Sequence, residues 1–232
     1  MTTLPSRALR LSVVIPTYNE SRLIGDLLSD LAPLRVQGHE VILADGGSDD
    51  GTLEIAAPRV DQILRSERGR AAQMNAGAQA SGGDVLWFVH ADTRIPQDAS
   101  DQVIQACSDG QLWGRFDIHL SGSHRLLRLI ETMINLRSRF TGVATGDQGI
   151  FVDRNTFESV AGFPDIPLME DVALSNTLRR LGRPCCVRQP RLQTSGRRWE
   201  KNGIVPTVVL MWRLRLAYAL GAAPGDLAKR YR

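Results

Sequence analysis

Three short polar stretches each follow an apolar, β-branched run: Pro16-Thr-Tyr-Asn-Glu20, Asp45-Gly-Gly-Ser-Asp-Asp-Gly-Thr52 and His90-Ala-Asp-Thr93. A carboxylate exposed at a strand end, as Asp92 is expected to be, can bind a hard divalent cation, and the cation in turn neutralises a diphosphate. Taken alone, such an Asp equally well caps the helix that follows it. Its company decides: Thr17, Asp45 and Asp92 all fall at the ends of apolar runs and would converge on one edge of a sheet.

The elements that must hold these residues read as follows. Leu11–Ile15, Glu40–Ala44, Val60–Leu64 and Val85–Val89 have the composition of buried strands. Between them, helices are expected from Asn19 and Glu20 to a stop before Pro33, from Thr52 toward Ala57, and from Gly69 to Gln79. Alternating strand and helix implies a mostly parallel α/β sheet flanked by helices, with ligands at the carboxyl ends of the strands. The second half is less regular. Helices are expected over 98–108, 126–140, 155–160 and 171–181, and strands over 113–120 and 149–152. The 126–140 segment has apolar residues at helical spacing and a face carrying Arg125, Arg128, Arg137 and Arg139, which suits the core or a membrane surface.

The chain has 232 residues, 43% of them apolar and 23% charged, which excludes disordered, collagen-like and coiled-coil classes. Its three cysteines, Cys107, Cys185 and Cys186, form neither a disulfide framework nor a zinc spacing, so reduced thiols in the cytoplasm are expected. Residues 1–10 lack the apolar stretch of a secretion signal, and Ile204–Leu220 is interrupted by Pro206, Arg213 and Arg215, a poor span but a fair interfacial helix. The net charge of +3 conceals an imbalance: residues 1–178 carry −8 and residues 179–232 carry +11. Such asymmetry points to an acidic, metal-handling half and a basic half facing phosphates or an anionic membrane. No nucleic-acid-binding motif accompanies the basic residues.

In their order, Val13-Val-Ile-Pro-Thr-Tyr-Asn-Glu20, Ala44-Asp-Gly-Gly-Ser-Asp-Asp-Gly-Thr52, Asn75-Ala-Gly77, Phe88-Val-His-Ala-Asp92 and Met169-Glu-Asp-Val172 resemble a family 2 glycosyltransferase over residues 11–200. Within it, Gly146-Asp-Gln-Gly-Ile-Phe-Val152 and Ser195-Gly-Arg-Arg-Trp199 resemble a compact bacterial subgroup associated with radical-SAM proteins or arsenosugar biosynthesis. The resemblance implies a single GT-A domain over 1–232. It would comprise a nucleotide-binding half (11–95), an acceptor-binding half (96–200) and a basic, apolar helical segment (201–232). It implies a nucleoside-diphosphate sugar, UDP-linked, as donor, an acceptor hydroxyl of unknown nature, and Mg²⁺ or Mn²⁺ as cofactor.

Residue by residue, the resemblance puts Pro16, Thr17, Tyr18 and Glu20 in the nucleoside pocket. It has Asp45 bonding the base, Arg70 and Asn75 near the nucleotide, and Asp92 on the metal, with His90 replacing the first Asp of the family's Asp-x-Asp motif. Asp171 would be the base of an inverting transfer, with Glu170 orienting it. The bare alternative is that both acids stabilise a helix start. Arg197, Arg198 and Trp199 resemble the Gln-x-x-Arg-Trp motif, and the two arginines would neutralise the leaving diphosphate. Ser195 stands where that motif has Gln, so processivity is not expected. Asp147 and Gln148 would face the acceptor or form a turn. Trp113 and Asp117 would border the cleft, or Trp113 would sit in the core.

Other classes fit less well. A glycosidase needs two carboxylates but no nucleotide pocket, and a Rossmann dehydrogenase needs a Gly-x-Gly-x-x-Gly after Ile15. The remaining rival is a catalytically silent sugar-nucleotide-binding or membrane-associated scaffold, against which the presence of Asp92 and Asp171 argues.

Overall fold

Strand β1 (Leu11–Thr17) is buried along its whole length and sends alternate side chains to opposite faces of the sheet. Leu11, Val13 and Ile15 enter one hydrophobic cluster and Val14 the other, the pattern of a central strand covered on both sides. In the computed structural model, which describes residues 8–231 apart from the side chain of Arg198, β1 lies between β2 (Glu40–Asp45) and β4 (Val85–Phe88), parallel to both. With β3 (Gln62–Arg65), β5 (Trp113–Leu120), β6 (Phe151–Asp153) and β7 (Cys185–Thr194), they form one seven-stranded sheet in the order β3-β2-β1-β4-β6-β5-β7. Only β6 runs antiparallel to its neighbours.

Helices α1 (Ile24–Val36), α2 (Thr52–Ala56), α3 (Arg70–Ala80) and α4 (Ala99–Ser108) connect the first strands. Helix α1 departs from expectation at both ends. It starts at Ile24, after a turn, and runs through Pro33 to Val36, because the stripe Leu27, Leu28, Leu31 and Leu34 keeps burying apolar surface past the proline. Helix α3 lies close on β1: a Cβ placed on Gly77 would come within 2.4 Å of the Val14 side chain. Strand β7 is a segment that periodicity does not reveal. Its run of Arg188, Gln189, Pro190 and Arg191 reads as loop, yet it pairs with β5 at the sheet edge, where a proline costs no ladder bond.

Helix α5 (Arg125–Thr141) splits its expected apolar face, burying Leu127 and Ile130 and leaving Leu126, Met133 and Leu136 exposed. Its buried face mixes Leu127 and Ile130 with Glu131, Asn135 and Ser138. Glu131 and Asn135 complete the backbone bonding of β5. Asn135 exchanges two hydrogen bonds of 2.9 Å with Ile118, and Glu131 accepts from the Leu120 N–H at 2.9 Å. The outward face is apolar: Leu126, Leu129, Met133, Leu136 and Phe140, the last 80% exposed. Asp117, expected at a cleft, is fully buried between Arg115 and Arg139, because the polar stripe of β5 closes on itself as ion pairs. Trp113 is likewise core, its Nε1 donating to the Gly182 carbonyl at 2.9 Å.

The chain continues through α6 (Arg154–Ser159), α7 (Glu170–Leu181), α8 (Arg197–Asn202), α9 (Ile204–Ala219) and α10 (Pro224–Tyr231). Helix α9 packs Ile204 and Val208 against Ile130 and Ile134 of α5. Leu214 and Leu227 close a further cluster with Val143, Leu168, Met169 and Val172, just before and within the start of α7. No helix among the described residues is long and apolar enough to cross a membrane.

Candidate active site

The carboxyl ends of β1, β2 and β4 meet on one rim, with Thr17 opposite Asp45 in register. Beyond β1 the chain turns sharply through Asn19, whose φ of 55° lies in the left-handed region that Asn tolerates. The turn is stitched to the loop after β2. Asn19 exchanges bonds with Asp49 at 2.9 and 3.0 Å, the Glu20 N–H donates to Thr52 Oγ1 at 2.9 Å, and the Ser21 N–H donates to Asp50 Oδ2 at 3.0 Å. Hydrogen bonds, chiefly from the Thr52 hydroxyl, hold the Asp50 carboxyl down to about 2. Gln73, from α3, donates to the carbonyls of Thr17 and Ala44 at 2.6 and 2.8 Å and so clamps the two strand ends. Tyr18 lies under the Arg68 guanidinium, 3.6 Å from its ring centroid.

Within this frame Pro16 and Thr17 are buried in the strand, and Tyr18 and Glu20 are partly exposed. The Asp45 carboxylate is fully buried and turned into its own loop, accepting from the N–H groups of Gly47 and Ser48 at 2.9 Å each and from the Ser48 hydroxyl. Its oxygens organise that loop.

Asp92 sits just past β4, partly exposed, and accepts no hydrogen bond among the described residues. Arg197, at the start of α8, reaches it at 3.8 Å and Glu20 at 3.1 Å. A residue from the far end of the chain thus joins the rim built by β1 and β4. Among the described residues no three His, Cys, Asp or Glu side chains form a closed metal cage. A carboxylate at an open rim, held by one long ion pair, fits Mg²⁺ or Mn²⁺ all the same, because such ions keep several waters and take remaining oxygens from substrate phosphates.

The second focus lies where α7 begins. Met169 is buried with φ of 70°, a left-handed conformation that a non-glycine residue adopts only when its surroundings hold it there. Glu170 and Asp171 follow. Asp171 is partly exposed, its Oδ2 accepting from the Gly146 N–H at 2.7 Å and its Oδ1 from the Val172 N–H at 2.6 Å. Glu170 is buried, and burial followed by the Asp171 charge pushes its carboxyl above the usual range against the pull of Arg70. Asp147 accepts from the His90 Nδ1 at 3.2 Å, so the residue two before Asp92 is tied to the residue beside Gly146. Arg70, at the start of α3, is exposed to solvent. Its partial desolvation is outweighed by Tyr231, Glu170, Asp147 and Asp171, which hold the guanidinium firmly charged.

Three expected site residues lie elsewhere. The Asn75 amide is spent on the Phe163 backbone, donating at 2.8 Å and accepting at 2.9 Å, because it anchors the loop after α6. Gln148 is fully buried, closing the turn Gly146–Gln148 through Thr145 and donating to the Phe116 carbonyl at 3.3 Å. Trp199 packs among Leu120, Leu127, Ile130 and Ile204. Arg198 belongs to α8, and its side chain lies outside the described residues. Conversely, Gln73, Tyr231 and two arginines, Arg137 and Arg215, carry weight that no motif announces. Two clefts of about 340 and 640 Å³, around Arg154 and around Arg94, lie away from both foci.

Residues 12–157 match glycosyl transferase family 2. The chain belongs to this family. Among curated relatives, it is 27% identical over 153 residues to the undecaprenyl-phosphate 4-deoxy-4-formamido-L-arabinose transferase of Yersinia enterocolitica, covering 60% of this chain and 46% of that protein. It is 32% identical over 101 residues to the poly-beta-1,6-N-acetyl-D-glucosamine synthase of Staphylococcus aureus, covering 41% and 24%. The chain therefore spans less than half the length of these relatives. Among solved structures, the mannosyltransferase PcManGT of Pyrobaculum calidifontis, in complex with GDP-Man and Mn²⁺, superposes with a TM-score of 0.67 at 21% identity, covering 98% of this chain and 70% of that one. S. aureus TarS in complex with UDP-GlcNAc gives 0.64 at 19%, covering 81% and 58%. The fold is GT-A.

Proposed function

We propose that this family 2 protein is an inverting glycosyltransferase that moves a sugar from a nucleoside-diphosphate sugar, UDP-linked, to an acceptor hydroxyl. The observation that carries the reading is the meeting of two acidic foci on one rim, with Asp92 beside Glu20 and Arg197, and Asp171 beside Gly146, whose neighbour Asp147 holds His90. Relatives named for sugar transfer and fold neighbours holding UDP-GlcNAc or GDP-Man with Mn²⁺ support it.

In this reading the tip of β1, with Tyr18 and Glu20, borders the nucleoside. Arg197 and Arg70 hold the diphosphate by charge. Asp92 would hold Mg²⁺ or Mn²⁺, which when bound neutralises the leaving diphosphate. Asp171 takes the proton of the acceptor hydroxyl, whose oxygen forms the new bond to the anomeric carbon as the bond from that carbon to the diphosphate breaks. The main-chain bond from Gly146 fixes one Asp171 oxygen and the helix start fixes the other, so the base is aimed without freedom of rotation. Glu170, whose proton is held more tightly because burial and the Asp171 charge both oppose its ionisation, lies beside the base and orients it.

Two finer assignments belong to the same proposal. The first is membership of the compact subgroup associated with radical-SAM proteins or arsenosugar biosynthesis, which the motifs at 146–152 and 195–199 support. The protein also acts at the inner, cytoplasmic face of an anionic membrane. The apolar faces of α5 (Leu126, Leu129, Met133, Leu136, Phe140) and α9 (Val205, Val209, Trp212, Leu216) support that docking, as does the charge of +11 over residues 179–232. A panel of sugar nucleotides with Mn²⁺, followed by thermal shift and by release of nucleoside diphosphate, tests the reading. A UDP-sugar raises Tm and is turned over; no response to any nucleotide sugar rejects it. Flotation with anionic vesicles at low salt tests the docking, which absence of association rejects.

A further inference from the structure

Arg137 of α5 and Arg215 of α9 come from helices that pack through Ile130, Ile134, Ile204 and Val208, and Val143 links them: Arg137 bonds its carbonyl, and Leu214, beside Arg215, packs in its cluster. Both are partly exposed, and neither has an ion-pairing carboxylate among the described residues. Arg137 donates one long hydrogen bond, to the Val143 carbonyl at 3.3 Å, and Arg215 donates none among the described residues. Val143 packs with Leu214, Met169 and Val172, which places the pair at the segment 143–146 that also holds Asp171. Burial and then the charge of Arg215 push Arg137 down to about 9, burial lowers Arg215 as well, and Asp171 attracts both. A guanidinium keeps its proton at neutral pH regardless. A half-buried guanidinium without a carboxylate partner is a place where an anion binds favourably.

From this geometry we infer that Arg137 and Arg215 form an anion subsite that holds a phosphate group of the acceptor beside the base Asp171. The inference rests on the proposed role of Asp171 and adds the acceptor's chemical class. The donor diphosphate has its own cation in Arg197, which reaches Asp92 and Glu20. The paired arginines instead flank the base, on the segment that reaches Gly146 from Val143. They differ from the solvated Arg125 of α5 in being half-buried. Two guanidinium forks match the oxygens of one phosphate monoester or diester. The same chemistry arises on a soluble phosphorylated acceptor and on a lipid phosphate entering between the apolar faces of α5 and α9.

The test uses the full chain saturated with UDP and Mn²⁺, so that the donor site is filled. Hexyl phosphate is titrated calorimetrically in one arm, and phosphatidylcholine vesicles with and without phosphatidic acid are floated in the other. Wild type and Arg125→Gln bind a phosphate probe in at least one arm, whereas Arg137→Gln and Arg215→Gln each weaken that binding roughly tenfold or more. UDP affinity is unchanged, and without phosphate the Tm of both variants is equal to or above that of wild type, because a like-charge contact is relieved. Binding in solution identifies a soluble acceptor; binding only to phosphatidic acid identifies a lipid one. The subsite is overturned if wild type binds neither probe, if the variants bind as wild type does, if UDP affinity falls in parallel, or if Tm drops. Should wild type fail to bind UDP, the donor reading fails, and the titration without UDP still decides whether the arginines hold phosphate.

Discussion

The main-chain N–H of Gly146 donates to Asp171 Oδ2 at 2.7 Å, while the other side of the same glycine lies against the His90 ring. A Cβ at residue 146 would approach His90 within 2.6 Å, well inside contact distance. Gly146→Ala must therefore displace either the imidazole or the segment that aims Asp171. We expect a stability loss of about 1–3 kcal/mol together with a fall in turnover larger than that loss explains. Denaturant unfolding and steady-state kinetics on the same preparation measure both. Wild-type kcat in a destabilised variant would show that the glycine serves packing alone.

Asp171→Asn retains the shape of the side chain and its acceptance of the Gly146 bond but removes the basic oxygen. Turnover is expected to drop by roughly a hundredfold to ten-thousandfold, the usual contribution of a positioned base, with UDP affinity unaltered. Calorimetry with UDP and Mn²⁺ separates the two. Retained turnover rejects Asp171 as base; lost UDP binding moves it to the donor site.

Glu170 gives a stability signature with a definite sign. Its carboxyl lies above the ordinary 4.5 in the folded protein, chiefly through burial, so the folded chain keeps the proton after the unfolded chain has released it. As pH rises from about 4.5 the unfolded state binds fewer protons, and stability falls until both states are ionised. Glu170→Gln, which cannot ionise, should flatten that slope and raise Tm at neutral pH relative to wild type. Melting curves across pH 4 to 8 read it out, and an unchanged slope refutes the claim that burial opposes the charge.

Arg197 links Glu20 and Asp92 from the exposed start of α8. Exposed ion pairs of this kind contribute about 0–1 kcal/mol, so Arg197→Ala should hardly move Tm. If the guanidinium serves the diphosphate, the same change weakens UDP binding roughly tenfold. A Tm drop without a change in UDP affinity would reverse the assignment.

The rim of the site was legible because its residues follow apolar strands in short loops, where a motif is local in sequence. The first four strands needed only such local signals. Pro33 misled because buried leucines on both sides of it outweigh one lost backbone bond. Strand β7 hid because an edge strand can be polar. The split of the α5 apolar face was not legible because Glu131 and Asn135 turn inward only where β5 presents backbone groups for them to bond. Arg137 and Arg215 carry no motif. Their meaning comes from the packing of α5 on α9, which helical periodicity in either segment does not disclose.

Asn75 supplies the sharpest contrast between motif and structure. It belongs to the Asn75-Ala-Gly77 motif that the family resemblance assigned to the nucleotide, yet both ends of its amide are bonded to the Phe163 backbone. Phe163 in turn stacks edge-on against Phe88, 4.8 Å between centroids, and Phe88 ends the strand that leads to Asp92. Asn75→Ala leaves a partly buried N–H and C=O of residue 163 without partners, a loss of about 1–3 kcal/mol. The expected outcome is a lowered Tm with UDP affinity changed only as far as the folded fraction changes. Asn75→Asp keeps the acceptor for the Phe163 N–H but cannot donate to its carbonyl, so its Tm should lie between the other two. A selective loss of UDP binding at full stability would return Asn75 to the nucleotide pocket.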